Sequence, residues 1–276
     1  MQGRITRIIS NLYTVNSNDV EYLCNARGKL REKNIIPMVG DICEFDSENK
    51  YILEILPRKN ELSRPMVANI DIALVVTSVK KPDLSLILLD KMLSIISVKK
   101  IEPWICLTKL DLTNKEEKKE LNNIIKYYKK IGYKVLNNKN LFILKRNIKN
   151  KLIVLTGQTG SGKSTLLNKL NKKLKLETNP ISESLGRGIH TTRHVELFEF
   201  GKCFVADTPG FSAIDFKNIN REDIKRTFIE FKKYKCFYKD CNHVNEDKCA
   251  VKEAVKNGDI LQSRYDNYVS FLDEVK

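Results

Sequence analysis

The sequence predicts a multidomain α/β protein in three consecutive units: a small β-barrel over residues 1–63, an open α/β sheet over 64–216 and a helical, cysteine-rich unit over 217–276. Three observations carry this expectation. Apolar and polar residues alternate through the first 62 positions. Strand-like and helix-like patterns alternate through the middle. Three of the seven cysteines and one of the three histidines crowd into the stretch from Cys236 to Cys249. A chain of 276 residues is long enough for two or three compact units.

The barrel comes first. "GRITRII", "LYTVNS", "VEYLCNA", "DICEFDS" and "YILEIL" each alternate with period two and are separated by Asn, Gly, Asp and Pro, which reads as five short strands. Five strands in about 60 residues have the dimensions of an OB-type barrel, a shape associated with oligonucleotide binding, although shape alone does not assign function. "LSRP", Leu62 to Pro65, reads as a linker, because Pro65 holds its predecessor extended and interrupts regular structure.

Beyond it the period changes. "IDIALVVTS" is a near-continuous apolar run, as in buried parallel strands, and "LSLILLDKMLSIISVKK" places apolar residues at helical spacing. "EPWICLTKLD" reads as strand and loop, "KEEKKELNNIIKYYKKIG" as an amphipathic helix ending at Gly132, and "KVLN" as a further strand. "KLIVLT" and "FEFGKCFVA" are read as one strand each, and "STLLNKLNKKL" as a helix.

Composition excludes some classes. Apolar runs are short or broken by charge, and "MQGRITRIIS" has no apolar leader, so a soluble, cytoplasmic, membrane-free and monomeric protein is expected. Cys24, Cys43, Cys106 and Cys203 stand singly in apolar segments, as reduced core thiols do. The formal charge of +15 is concentrated between Lys115 and Lys175, the footprint expected for a nucleic-acid partner.

"GQTGSGKS" matches G-x-x-x-x-G-K-[ST] between a strand and a helix. In such a loop the backbone of Gly157, Gln158, Thr159, Gly160, Ser161, Gly162 and Thr165 wraps phosphates, Lys163 reaches the outer ones, and Ser164 ligates Mg²⁺. "TKLD", Thr108, Lys109, Leu110 and Asp111, follows a strand. Asp111 can accept the paired N1–H and exocyclic amine of guanine, Lys109 can lie along the base and Thr108 can anchor the loop, which favours GTP over ATP. "VADTPGF" ends a strand with Asp207, suited to order the Mg²⁺ shell, and with Gly210, whose N–H can bond a γ-phosphate. In "LGRGIHTTRHVEL" either Thr191 or Thr192 can supply a Mg²⁺ hydroxyl. GTPases normally run phosphate loop, switch threonine, D-x-x-G, then [NT]-K-x-D. This chain begins with the last of these, so its GTPase domain is circularly permuted, which closely spaced domain termini allow. At the C-terminus Cys236, Cys241, His243 and Cys249 form C-x4-C-x-H-x5-C, the ligand set of a closed structural Zn²⁺ site.

Order and motifs together resemble the circularly permuted, small ribosomal subunit-dependent GTPases, the RsgA type of assembly factor, over nearly the whole chain: "RGKLR", "PRKNELSRP", TKLD, GQTGSGKS, GRGIHTTRHVEL, DTPGF, the Cys and His cluster, and "AVKEAVKNGDI". The resemblance implies docking on the 30S subunit and its 16S-type rRNA late in maturation. It also implies GTP hydrolysis to GDP stimulated there, and release afterwards. It implies that His190 substitutes for the water-positioning glutamine of Ras-like enzymes, since Phe211 follows DTPG; shaping the switch or touching rRNA is the other reading of His190. The chain departs from the family at "VLNNKN", where Asn137 or Asn138 must back the base, and at Gly160, where some GTPases place a K⁺-binding Asn. Two other classes compete: a nonhydrolysing nucleotide-dependent RNA-binding protein, opposed by Lys163, Ser164 and Asp207, and an ATP-dependent kinase, opposed by TKLD.

Overall fold

The structure is a computed structural model that describes residues 1–26, 35–63, 66–138, 151–170, 197–200, 203–207, 215–216 and 218–275. Its first five strands, β1 (Gln2–Ile9), β2 (Leu12–Ser17), β3 (Val20–Ala26), β4 (Ile42–Asp46) and β5 (Tyr51–Ile55), close into a barrel of order β1-β2-β3-β5-β4. Alternation decides its interior: Ile5, Val15, Cys24, Cys43, Phe45 and Ile52 point inward and are fully buried.

The "LSRP" segment differs from expectation. β6 (Glu61–Ser63) and β7 (Met66–Ala68) pair antiparallel, so a two-stranded ribbon stands where a plain linker was expected.

The central sheet has the order β10-β9-β8-β11-β13-β12, formed by β8 (Ile72–Ser78), β9 (Glu102–Thr108), β10 (Lys134–Asn137), β11 (Leu152–Thr156), β12 (Leu197–Phe200) and β13 (Cys203–Asp207). Neighbours are parallel except β12 with β13. "FEFGKCFVA" is thus two antiparallel strands rather than one. Its mid-run Gly201 and Lys202 are the signal for the break.

Helices cover both faces. α1 (Leu86–Val98) and α2 (Lys115–Ile131) pack Leu93, Ile96, Tyr128 and Ile131 on one side with Ala73 and Val75 of β8. α3 (Lys163–Leu170) packs Leu166, Leu167 and Leu170 on the other with Leu74 and Val76. α2 starts with a capping box between Asn114 and Glu117 and ends at Gly132, whose φ of +117° is the left-handed cap that glycine adopts without strain.

The last helices, α4 (Arg221–Thr227), α5 (Ala250–Lys256) and α6 (Gln262–Glu274), share a core with Ile95 of α1. Beneath it lies a buried ionic cluster. Arg264 donates to Asp90 Oδ1 at 2.6 Å and to Glu230 Oε1 at 2.8 Å, and all three side chains are at most 2% exposed. Asp90 also accepts from Tyr128 Oη at 2.6 Å and Asn267 Nδ2 at 2.7 Å. Burial works against the charge on Arg264, but Asp90 foremost, with Glu230, outweighs it and holds the guanidinium charged. The C-terminal unit is therefore fastened to the side of the sheet domain and not merely tethered after β13.

Candidate nucleotide site and metal centre

Parallel pairing sets the site. β8, β9, β11 and β13 run together, so Thr108, Thr156 and Asp207 all finish at one edge of the sheet, the edge where α/β proteins bind ligands. Residues 157–162 link β11 to α3 there. Gly157 has φ +143°, and a Cβ on it would lie 2.0 Å from the Val76 carbonyl oxygen, so only glycine lets the loop press against β8. Gly160 and Gly162 also carry positive φ. Lys163 opens α3 and donates to the carbonyls of Gly157 at 2.8 Å and Gln158 at 3.0 Å, which keeps its ammonium over the loop. Ser164 follows, half-buried in the first turn, whose exposed N–H groups favour anions.

TKLD lies against this loop. The Thr108 hydroxyl donates to the Ser161 carbonyl at 2.6 Å. Lys109 takes a left-handed conformation at φ +57° and donates to the Lys81 carbonyl. Leu110–Leu112 form one 3-10 turn, pinned where Thr113 Oγ1 donates to the Leu110 carbonyl at 2.8 Å, and Asp111 on that turn is exposed. Asn137 pairs with Leu107, and the Asn138 N–H donates to the Leu107 carbonyl at 3.1 Å, which sets the "NN" pair beside the same turn. Thr156 and Ser161 bury hydroxyls without a hydrogen-bond partner among the described residues, so the loop base is polar. Of the remaining expected residues, His190, Thr191, Thr192 and Gly210 lie outside the described residues, and Asp207 is described only as the last residue of β13.

The second cluster is complete. One donor atom from each of Cys236, Cys241, His243 and Cys249 lies within 4.8 Å of the others. Cys236 Sγ and Cys249 Sγ are each 3.4 Å from His243 Nδ1 and 3.8 Å from one another. Tetrahedral zinc with bonds of about 2.3 Å to sulfur and 2.0–2.1 Å to nitrogen requires edges of about 3.8 and 3.6 Å, so the donor set fits that ion. Burial holds His243 below the ordinary imidazole pKa and so favours the neutral form that a metal ligand needs. Burial opposes ionisation of Cys236 too, but the N–H groups of Val251 and Ala250 at the start of α5 outweigh it and lower its pKa. Glu246 braces the loop by accepting from Asn242 N at 2.6 Å and Val244 N at 2.9 Å, while Tyr265 Oη donates to the His243 carbonyl at 2.8 Å. These outer partners, and the Arg264 cluster, carry no motif in the sequence; an aspartate inside the apolar run "LSLILLDKMLSII" is the one available signal for Asp90.

The chain resembles known proteins along its length. Residues 55–217 match the family model described as RsgA GTPase and residues 2–52 match the RsgA N-terminal domain. The chain is 45% identical to "Small ribosomal subunit biogenesis GTPase RsgA 2" of Oceanobacillus iheyensis, over 100% of this chain and 97% of that protein. It is 44% identical to "Small ribosomal subunit biogenesis GTPase RsgA" of Halalkalibacterium halodurans with the same coverage. Among solved structures it resembles YloQ, described as a circularly permuted GTPase, with a TM-score of 0.85 and 34% identity over 99% of this chain and 94% of that one. YjeQ from Thermotoga maritima matches with the same score and identity, covering 99% and 98%.

Proposed function

The chain belongs to the RsgA family of GTPases, and from that premise we propose that it acts in late maturation of the small ribosomal subunit. It binds the 30S particle and its 16S-type rRNA, hydrolyses GTP to GDP and phosphate when the particle stimulates it, and then leaves. The single observation that carries this reading is the meeting of TKLD and the phosphate loop through Thr108 and Ser161 at one sheet edge, in a chain whose relatives bear that name over their whole length.

Catalysis rests on positioning and charge. Lys163 neutralises the outer phosphates, the loop N–H groups from Gly157 to Thr165 cradle them, and Asp111 with Lys109 selects guanine. Ser164 offers a hard oxygen for Mg²⁺ together with Thr191 or Thr192, and Asp207 orders the shell. Mg²⁺, when bound, offsets charge on the β- and γ-phosphates. Gly210 bonds the γ-phosphate and His190 orients the attacking water. Zn²⁺ on Cys236, Cys241, His243 and Cys249 holds the terminal unit folded. We assign residues 1–63 to the RNA-binding barrel, 64–216 to the GTPase domain and 217–276 to the zinc unit, in a cytoplasmic monomer. Among the described residues no helix is long and apolar enough to cross a membrane.

The test is GTP hydrolysis by the purified protein with and without small subunits, with Lys163→Ala as control and ATP in parallel. A large, GTP-selective stimulation is expected. Bound nucleotide without stimulation would overturn the proposal in favour of a nonhydrolysing RNA-binding module.

A further inference from the structure

Two aromatic rings stand where aromatic rings rarely do. Phe237 is 71% exposed and Tyr238 is 50% exposed, although such side chains ordinarily bury their large apolar area. Both lie in the four-residue turn between Cys236 and Cys241, whose two ends meet in the Cys and His cluster. Within it the Cys241 N–H donates to the Tyr238 carbonyl at 3.4 Å. The rings are 5.1 Å apart at 86°, and Lys248 Nζ sits 5.0 Å from the Phe237 centroid. A turn held this way presents its rings without paying ordering entropy when something lands on them.

Beside the turn opens a cavity of about 530 Å³, within the ~300–1,000 Å³ range of small-ligand sites. Its lining brings Lys225, Arg226, Lys232, Lys235 and Lys239 together against one acid, Glu222, which is already engaged by Lys225 at 3.5 Å and Arg226 at 3.3 Å. Tyr238 is part of its wall, so the exposed ring and the cationic cleft form one surface. Outward π-faces flanked by cations match unpaired nucleic acid. Bases stack on the rings whatever their sequence, and lysines track the phosphates. A duplex offers no free base face, and an acidic protein would use the lysines but leave the rings without a partner.

We infer that the zinc turn and its cleft form a binding surface for single-stranded RNA, with Phe237 and Tyr238 as the stacking platform and Lys232, Lys235 and Lys239 holding the adjoining phosphates. This deepens the ribosomal reading above by naming the form of RNA the C-terminal unit takes: an unpaired segment, not a helix.

The full-length, zinc-loaded protein is titrated into a fluorescein-labelled, unstructured uridine-rich RNA containing 5-bromouridine, and into an RNA duplex of equal length. Phe237→Ala/Tyr238→Ala is expected to weaken single-strand binding about five- to hundredfold without changing its salt slope, and Phe237→Tyr/Tyr238→Phe to restore it. Lys232→Ala/Lys235→Ala/Lys239→Ala should instead flatten the slope, by about 0.7 for each phosphate left without its lysine. Ultraviolet crosslinks should map to Phe237 or Tyr238. Zinc content and unstimulated GTP turnover confirm that the exposed-ring variants are folded. Wild-type affinity in the alanine variant, equal binding of the duplex, or no single-strand binding by the wild-type chain would overturn the inference. So would an alanine variant that keeps its RNA affinity but loses small subunits, which points to a protein partner. Absence of subunit stimulation in the wild type counts against the ribosomal reading alone, since the RNA titrations proceed without subunits.

Discussion

Thr108 Oγ1 donates to the carbonyl of Ser161 at 2.6 Å, joining residues 53 positions apart that belong to the two motifs whose order is reversed in this chain. The contact forms although the motif order is reversed, because both strand ends lie at the same sheet edge. Thr108→Val leaves the buried Ser161 carbonyl without this donor, at a cost of about 1–3 kcal/mol. Urea denaturation should register that loss, and GDP and GTP affinity, measured with a fluorescent nucleotide, should fall by at most about a hundredfold, since the bond is already made in the nucleotide-free loop. Thr108→Asn, which can still donate, should lose much less.

Asp111 lies exposed on the turn after β9. Asp111→Asn replaces one acceptor by a donor, which mismatches the amine of guanine and matches the 2-oxo group of xanthine. With charge-assisted bonds near 1.5–3 kcal/mol, GTP affinity should drop at least about tenfold while XTP affinity rises. Unchanged GTP preference in a competition assay would remove Asp111 from the base site.

Arg264 is the charge that balances Asp90 and Glu230 in a buried interface. Arg264→Met strands two carboxylates and should destabilise the protein by about 3–5 kcal/mol in urea denaturation. Replacing all three by apolar residues, Arg264→Met/Asp90→Leu/Glu230→Met, should recover only part of that loss, because the buried Tyr128 Oη and Asn267 Nδ2 lose their acceptor on Asp90. A single variant as stable as the wild type would mean that the cluster contributes nothing.

The imidazole of His243 is held below its ordinary pKa of 6.5 chiefly by burial. A depressed folded pKa contributes stability that is present above the unfolded value and is lost as pH falls through the folded one. The His243 contribution to the stability of the C-terminal unit should therefore be lost below about pH 6.5, while zinc retention, which needs the thiolate forms of Cys236, Cys241 and Cys249, should weaken progressively as pH falls from about 8.5. Cys241→Ser should weaken zinc retention at every pH, as measured by metal content after dialysis against a chelator.

On α2 the side chains of Lys126, Lys129 and Lys130 are exposed beside the buried Tyr127 and Tyr128. Reversing all three to Glu should weaken small-subunit binding and reduce its salt dependence, with no change in stability beyond about 0.5 kcal/mol per site. Equal binding at every salt concentration would make this face a solvated one.

Much of the molecule is legible in the sequence because its signals are local. Period-two alternation places all five barrel strands, Gly132 marks the end of α2, and the spacings of GQTGSGKS, TKLD and the Cys and His cluster name residues that do converge. The β6–β7 ribbon and the division of "FEFGKCFVA" into two strands are not legible in the same way, since Pro and a single Gly interrupt a pattern without saying whether the chain turns back to pair.

By itself, then, the sequence determined which residues have the chemistry for phosphate, guanine and zinc, because each motif needs particular groups at short, fixed spacing. Only the tertiary structure decided that Thr108 meets Ser161, that Arg264 reaches Asp90 across 174 positions, and that the rings of Phe237 and Tyr238 face outward beside a cationic cleft. Those contacts join distant segments through packing, and burial of a charge or exposure of a ring depends on what the rest of the fold places against it.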